Sequence, residues 1–121
     1  MENAGEVLRR TPLFEALDED GTRELRQTMS QLKLHRGERL FDEGDSGDSL
    51  YVVLDGKMKL TRAAGDGREN LLSVIGPAEM FGELSLFDPR PRTSSASAVT
   101  EVILAVLPHD SLLPLLRKRA R

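Results

Sequence analysis

Glycine constrains this chain more than any other residue. Between Leu32 and Leu107 it recurs at Gly37, Gly44, Gly47, Gly56, Gly65, Gly67, Gly76 and Gly82, and most segments left between these positions are too short for helices of several turns. Strands average about five or six residues, roughly half the length of a helix. Short apolar segments parted by turn-forming residues describe an antiparallel all-β sandwich, jelly roll or barrel. The expected fold class is mainly β, with short helices flanking the strands at both ends.

The segments themselves support strands. Ser49 to Leu54 is rich in branched and aromatic residues. Lys57 to Arg62 alternates, placing Met58 and Leu60 inward and Lys57, Lys59 and Thr61 outward. Asp55-Gly56 lies between these two strands and predicts a hairpin. Asp66-Gly67 predicts another, ahead of a strand from Glu69 to Ile75 that Gly76-Pro77 ends. Ser94 to Ala98 and Glu101 to Leu107 form the last pair of strands. In the final strand Val102, Leu104 and Val106 line one face and Ile103, Ala105 and Leu107 the other, so both faces should be covered.

Residues 1–31 read as an N-terminal helical segment, 32–108 as the all-β region and 109–121 as a C-terminal helix. Met1 to Arg10 makes a first short helix with Val7 and Leu8 as its contacts. Pro12 suits a second start, beside Leu13, Phe14, Ala16 and Leu17. Asp18 is an N-cap, with Glu19 and Asp20 in the first turn. Leu25, Met29 and Leu32 fall at helical spacing and predict a helix from about Glu19 to Ser30, which Gly21 weakens near its start. Asp110 or Ser111 caps the last helix, with Leu112, Leu113, Leu115 and Leu116 as its apolar residues. Its basic end, Arg117, Lys118, Arg119 and Arg121, complements a helix C-terminus.

Composition removes several classes of function. A chain of 121 residues suits one domain with one core. Its net charge of -3 and pI near 5.4 lack the basic footprint of a nucleic-acid-binding module. The absence of cysteine excludes disulfides, thiol catalysis and Cys-ligated metal, and accords with a cytoplasmic location. No run approaches a membrane span, and the N-terminus has no apolar core of a signal peptide. His35 and His109 are the only histidines and have no ligand spacing, which argues against a metal site and a cupin-type enzyme. His35 reads as a strand-end surface residue and His109 as a turn or helix-start residue.

The chemistry-bearing residues gather between Phe81 and Ala96. Glu83, Leu84, Ser85, Leu86 and Phe87 can form one helical turn before Pro89 stops it. Gly82 permits close backbone approach. Arg92 offers a planar fork to phosphate oxygens, with Thr93 and Ser94 as neighbouring donors. Glu83 repels phosphate but accepts from a sugar hydroxyl. Local composition alone also allows a blander reading: a helix-dipole carboxylate, a solvated arginine and loop hydroxyls.

Two motifs in order decide between these readings. Arg36-Gly37-Glu38, Phe41-Asp42-Glu43-Gly44-Asp45-Ser46-Gly47-Asp48 and Leu50-Tyr51-Val52-Val53-Leu54-Asp55-Gly56 resemble the first half of a cyclic nucleotide-binding domain. The 81–96 stretch resembles that family's phosphate-binding cassette. The nearest resemblance is to the sensor half of bacterial cyclic-AMP receptor protein type regulators, in which Asp66-Gly67-Arg68-Glu69-Asn70 and Phe87 to Ser94 are typical of one branch.

The resemblance implies a double-stranded β-helix, or jelly-roll-like β-roll, with short helices flanking it at both ends, acting as a non-enzymatic, cytoplasmic cyclic-nucleotide sensor of transcription regulation. It assigns the ribose 2′-hydroxyl to Glu83, backbone contacts to Gly82 and Leu84, and the cyclic phosphate to Arg92 with Thr93 and Ser94. Leu72 and Val74 become the wall near the base. The bacterial resemblance favours cAMP as ligand, while Thr93 after the arginine is compatible with cGMP in some branches. In that class a long dimerising helix and a DNA-reading module follow the β-roll. This chain stops at Arg121, about where that helix begins, so nucleic acid is not an expected partner of these residues alone; membrane is not expected either, since no run has the length of a span, and either a monomer or a homodimer fits. A nucleotide-independent docking domain of the same fold is the alternative function.

Overall fold

The computed structural model describes residues 10, 18–45, 49–81, 94–108 and 110. Among these residues one helix, α1 (Glu19–Thr28), precedes eight strands: β1 (Ser30–Leu34), β2 (Arg39–Phe41), β3 (Ser49–Asp55), β4 (Met58–Ala63), β5 (Glu69–Ile75), β6 (Met80–Phe81), β7 (Ser95–Ala98) and β8 (Val102–Pro108). They form two four-stranded sheets, ordered β1-β8-β3-β6 and β2-β7-β4-β5, with every pairing antiparallel. The chain crosses between the sheets repeatedly, so most neighbours within a sheet are distant in sequence. That is the jelly-roll-like β-roll the resemblance implies, and one of the all-β architectures the glycine spacing allows.

The helix begins as expected. Asp18 caps it, its carboxylate accepting from the Gly21 N–H at 2.6 Å, with Glu19 and Asp20 in the first turn. Leu25 is fully buried, and Gly21, one turn earlier on the same helix, is buried too. The helix stops two residues short of the expected end. Met29 is extended, and Leu32 belongs to β1 opposite Leu104. The Leu25, Met29, Leu32 spacing therefore joins a helix to a strand, because pairing with β8 prevails over the continued helical period.

The core fills the space between the sheets. Leu34, Val53, Phe81, Val102 and Leu104 from the first sheet meet Met58, Ile75, Ala96 and Ala98 from the second. The final strand is covered largely as predicted: Leu104, Ala105 and Leu107 are buried, and Ile103 and Val106 are half-buried. It does not pair with β7, however. β8 lies between β1 and β3, while β7 lies between β2 and β4.

Of the two expected hairpins, one forms. Asp66-Gly67 turns β4 back on β5, with Ala64 N–H donating to Arg68 O and Gly67 N–H to Ala64 O. Asp55-Gly56 does not make a hairpin, since β3 and β4 belong to different sheets. Gly56, at φ 88°, turns the chain out of one sheet into the other. A Cβ there would collide with the Glu101 carbonyl, and Lys57 donates to Thr100 Oγ1. The corner is thus packed against the β7–β8 connection, which leaves no room for a second strand to fold back.

Along β4 the predicted alternation places Met58 in the core and leaves Lys59 exposed, with Leu60 packed on the core. Thr61 departs from it, being only 4% exposed and donating its hydroxyl to Glu69 Oε2 at 2.8 Å. The pairing with β5 slips here, from Leu60 opposite Ser73 to Thr61 opposite Leu71, so Leu72 is the extra residue of a bulge. The first expected helix, the Pro12 cluster, His109 and the C-terminal helix lie outside the described residues, apart from Arg10 and Asp110. No helix among the described residues is long and apolar enough to cross a membrane.

Candidate functional site

Strand register fixes both ends of the segment that carries the candidate ligand groups. β6 ends at Phe81, which pairs with Tyr51 at the edge of the first sheet. β7 begins at Ser95, which pairs with Thr61 inside the second sheet. Residues 82–94 therefore connect the edge of one sheet to an internal strand of the other. Gly82, Glu83, Leu84, Arg92 and Thr93 lie within this connection and outside the described residues. Ser94 is half-buried where the chain enters β7.

Aromatic residues hold the entry to this connection. Phe81 is 2% exposed and stacks on Tyr51, their ring centres 5.2 Å apart. Phe41, at the end of β2, completes the cluster at 6.0 Å from Tyr51 and 6.2 Å from Phe81. Phe41 also pairs with Ala96 of β7, so one aromatic group touches both sheets near the two ends of the connection.

Hydrogen bonds hold the exit. Asp42 to Asp45 form a tight turn closed by Asp45 N–H to Asp42 O, with Gly44 at φ 92° in its third position. From this turn Glu43 N–H donates to Ser95 Oγ at 2.9 Å, and Glu43 Oε1 accepts from Ala63 N–H at 2.9 Å. A charged pair runs over the same face. Arg39 grips Glu69 with both guanidinium ends, at 2.9 and 3.3 Å, and reaches Asp42 at 3.1 Å. The hydrogen bond from Arg39, and then that from Thr61, holds the Glu69 carboxyl below its ordinary value. The bond to Glu69 in turn holds Arg39 above its own, against some desolvation.

The candidate wall residues lie on β5, the outer strand of the second sheet. Leu72 sits at the bulge and is 51% exposed; Val74, opposite Lys59, is 48% exposed. Leu71 is exposed beside them. His35 follows β1 and is exposed, as expected, facing Glu101 at 3.7 Å. Sequence reasoning gives no role to Glu43, Thr61 or Ser95. The Glu-Gly-Asp turn motif marks Glu43, but nothing local announces a partner 52 residues away.

Comparison with known proteins agrees with this architecture. Residues 31–119 match the cyclic nucleotide-binding domain family. The chain is 45% identical over 107 residues to a CRP-like cAMP-activated global transcriptional regulator of Mycobacterium tuberculosis, covering 88% of this chain and 48% of that protein. It is 38% identical over 109 residues to the cyclic AMP receptor protein of Thermus thermophilus, covering 89% of this chain and 50% of that one. The crystal structure of the N-terminal domain of a transcriptional regulator from Streptomyces coelicolor superposes with a TM-score of 0.84 at 58% identity, covering 93% of this chain and 81% of that one. The chain spans about half the length of these two curated relatives.

Proposed function

The chain belongs to the cyclic nucleotide-binding domain family, and from that premise we propose that it is the cAMP-sensing domain of a transcription regulator and catalyses no reaction. The observation that carries this reading is the anchoring of residues 82–94 between Phe81 and Ser95. Both attachment points are buried and strand-paired, so the groups between them hang from a stiff frame. Such a frame lowers the ordering cost of gripping a small ligand.

In this reading Glu83 accepts a hydrogen bond from the ribose 2′-hydroxyl, and Gly82 and Leu84 offer backbone groups. Arg92 pairs with the singly charged cyclic phosphate, aided by Thr93 and Ser94. Leu72 and Val74 supply apolar surface to the base; their exposure means that contact costs no packing already made within the chain. Ligand would act by changing how the β-roll sits against its flanking helices, which requires different affinity in the two arrangements. Contact with DNA belongs, in this reading, to a module C-terminal to these residues.

Calorimetric titration of the 121-residue chain with cAMP and with cGMP tests the proposal. cAMP should bind more tightly. Arg92→Ala should weaken it at least ~100-fold, through loss of a charge-assisted pair in a sheltered site. Unchanged affinity in that variant would remove Arg92 from the site. A wild-type chain that takes up neither nucleotide would favour a docking domain of the same fold.

A further inference from the structure

We propose that Glu43 and Ser95 are positioning residues for the phosphate end of the site, a role that rests on the cyclic-nucleotide reading above. Ser95 is three residues beyond Arg92, two beyond Thr93 and one beyond Ser94. Three residues span at most about 10 Å, so whatever fixes Ser95 limits where the Arg92 guanidinium can act from.

Ser95 is fixed on two sides. Its backbone is paired with Thr61 of β4. Its hydroxyl, in a residue only 5% exposed, accepts from the Glu43 N–H. β7 consists of Ser95, Ala96, Ser97 and Ala98, all buried. Side chains this small make few packing contacts, so a hydrogen bond at the first of them contributes a large share of what locates that end of the strand.

Glu43 is braced in turn. Its carboxylate accepts from Ala63 N–H at the end of β4. The turn that carries it is closed by Asp42 N–H to Asp45 Oδ2 at 2.8 Å, and Arg39 ties Asp42 to Glu69. Glu69 accepts from Thr61, the residue opposite Ser95. The contacts close a ring around the start of β7: Ser95, Glu43, Asp42, Arg39, Glu69, Thr61 and back to Ser95. Every link is local to the exit of the 82–94 connection. None serves the hydrophobic core, which lies on the other side of β7 at Ala96 and Ala98. A ring of this kind gives the phosphate end a rigid support on which small shifts are transmitted rather than absorbed.

The test is a set of cAMP affinities for the 121-residue chain, each measured well below the melting temperature of the variant concerned. Ser95→Ala removes the hydroxyl acceptor, and Glu43→Ala the brace to Ala63. Each should weaken cAMP about tenfold, and the double variant should be little weaker than either single one, because Glu43→Ala loosens the turn whose N–H the Ser95 hydroxyl accepts from, so both act through one connection to β7. Glu43→Gln keeps an oxygen acceptor for Ala63 and should bind like wild type. In an Arg92→Ala background Ser95→Ala should have little further effect, since its influence runs through Arg92; a general loss of structure would persist there. Ser95→Ala and Glu43→Ala both within threefold of wild type would overturn the proposal, and so would an undiminished Ser95→Ala loss in the Arg92→Ala background. Failure of the wild-type chain to bind cyclic nucleotide overturns the functional reading and this inference together, whereas normal wild-type binding with indifferent variants overturns the inference alone.

Discussion

The two sheets of this molecule are built from different materials. At the centre of the first, β3 and β8 are nearly continuous runs of Leu, Val, Ile and Ala, buried or half-buried along their length. The second has a narrow strand of Ser and Ala at its centre and a charged, hydroxyl-bearing face made by Arg39, Lys59, Thr61, Glu69 and Ser95. Apolar burial needs no partner geometry, so the first sheet is held by area. The second depends on directional bonds among groups that water would otherwise satisfy. The first sheet therefore carries stability, and the second holds the start of β7 by directional bonds.

A core truncation should separate the two most clearly. Leu104 is fully buried in β8 and paired with both Leu32 and Val53. Leu104→Ala should cost about 3 kcal/mol, through lost burial and a residual cavity. Urea unfolding checks this; a loss under about 1 kcal/mol would mean that the first sheet does not dominate stability.

The crossings between the sheets give the next two effects, of opposite sign. Gly56, in the β3–β4 crossing, has φ 88° and no room for a side chain beside Glu101. Gly56→Ala should cost about 2 to 3 kcal/mol, read from the shift in urea midpoint. At the β5–β6 crossing the turn Gly76-Pro77-Ala78-Glu79 is closed by Glu79 N–H to Gly76 O, and Ala78 holds φ 71°. Alanine is strained there by about 1 to 2 kcal/mol. Ala78→Gly relieves that strain but adds freedom to the unfolded chain, for a net gain of about 0.5 kcal/mol. A lower melting temperature for that variant would show that the turn needs its methyl group.

These crossings also show what the sequence discloses and what it does not. Asp55-Gly56 and Asp66-Gly67 carry the same local signal, yet one is a corner between sheets and the other a hairpin. A dipeptide sets the turn in the backbone; which strand receives the chain is decided by packing tens of residues away. The glycine spacing disclosed the fold class, and alternation, apolar runs and the turn residues between them disclosed β3, β4, β5, β7 and β8 nearly to their ends. β2 and β6, at three and two residues, are too short to show a period. β1 was hidden because Leu32 also continues the helical spacing of α1. At the site, Glu83 and Arg92 are legible as chemistry and lie outside the described residues. The Glu43–Ser95 bond was illegible because a backbone N–H carries it and residue type leaves no trace of that.

The smallest effect concerns the charged face of the second sheet and depends on pH. Glu69 has a carboxyl lowered from its ordinary 4.5 by hydrogen bonds from Arg39 and Thr61. A carboxyl with a depressed folded value contributes stability that is fully present above its unfolded value and is lost as pH falls through the folded one. Arg39 stays charged throughout this range. Wild type should therefore be slightly more stable than Glu69→Gln at neutral pH, and the gap should close as pH drops below 4.5. Both partners are partly exposed, so added salt should narrow the gap at neutral pH as well. Melting temperatures across pH 3 to 7 (about the carboxylate range and above) at two salt concentrations measure both trends. A gap independent of pH would assign the contribution of Glu69 to its shape and hydrogen bonds rather than its charge. The two sheets would then differ in chemistry but not in how they respond to solution conditions.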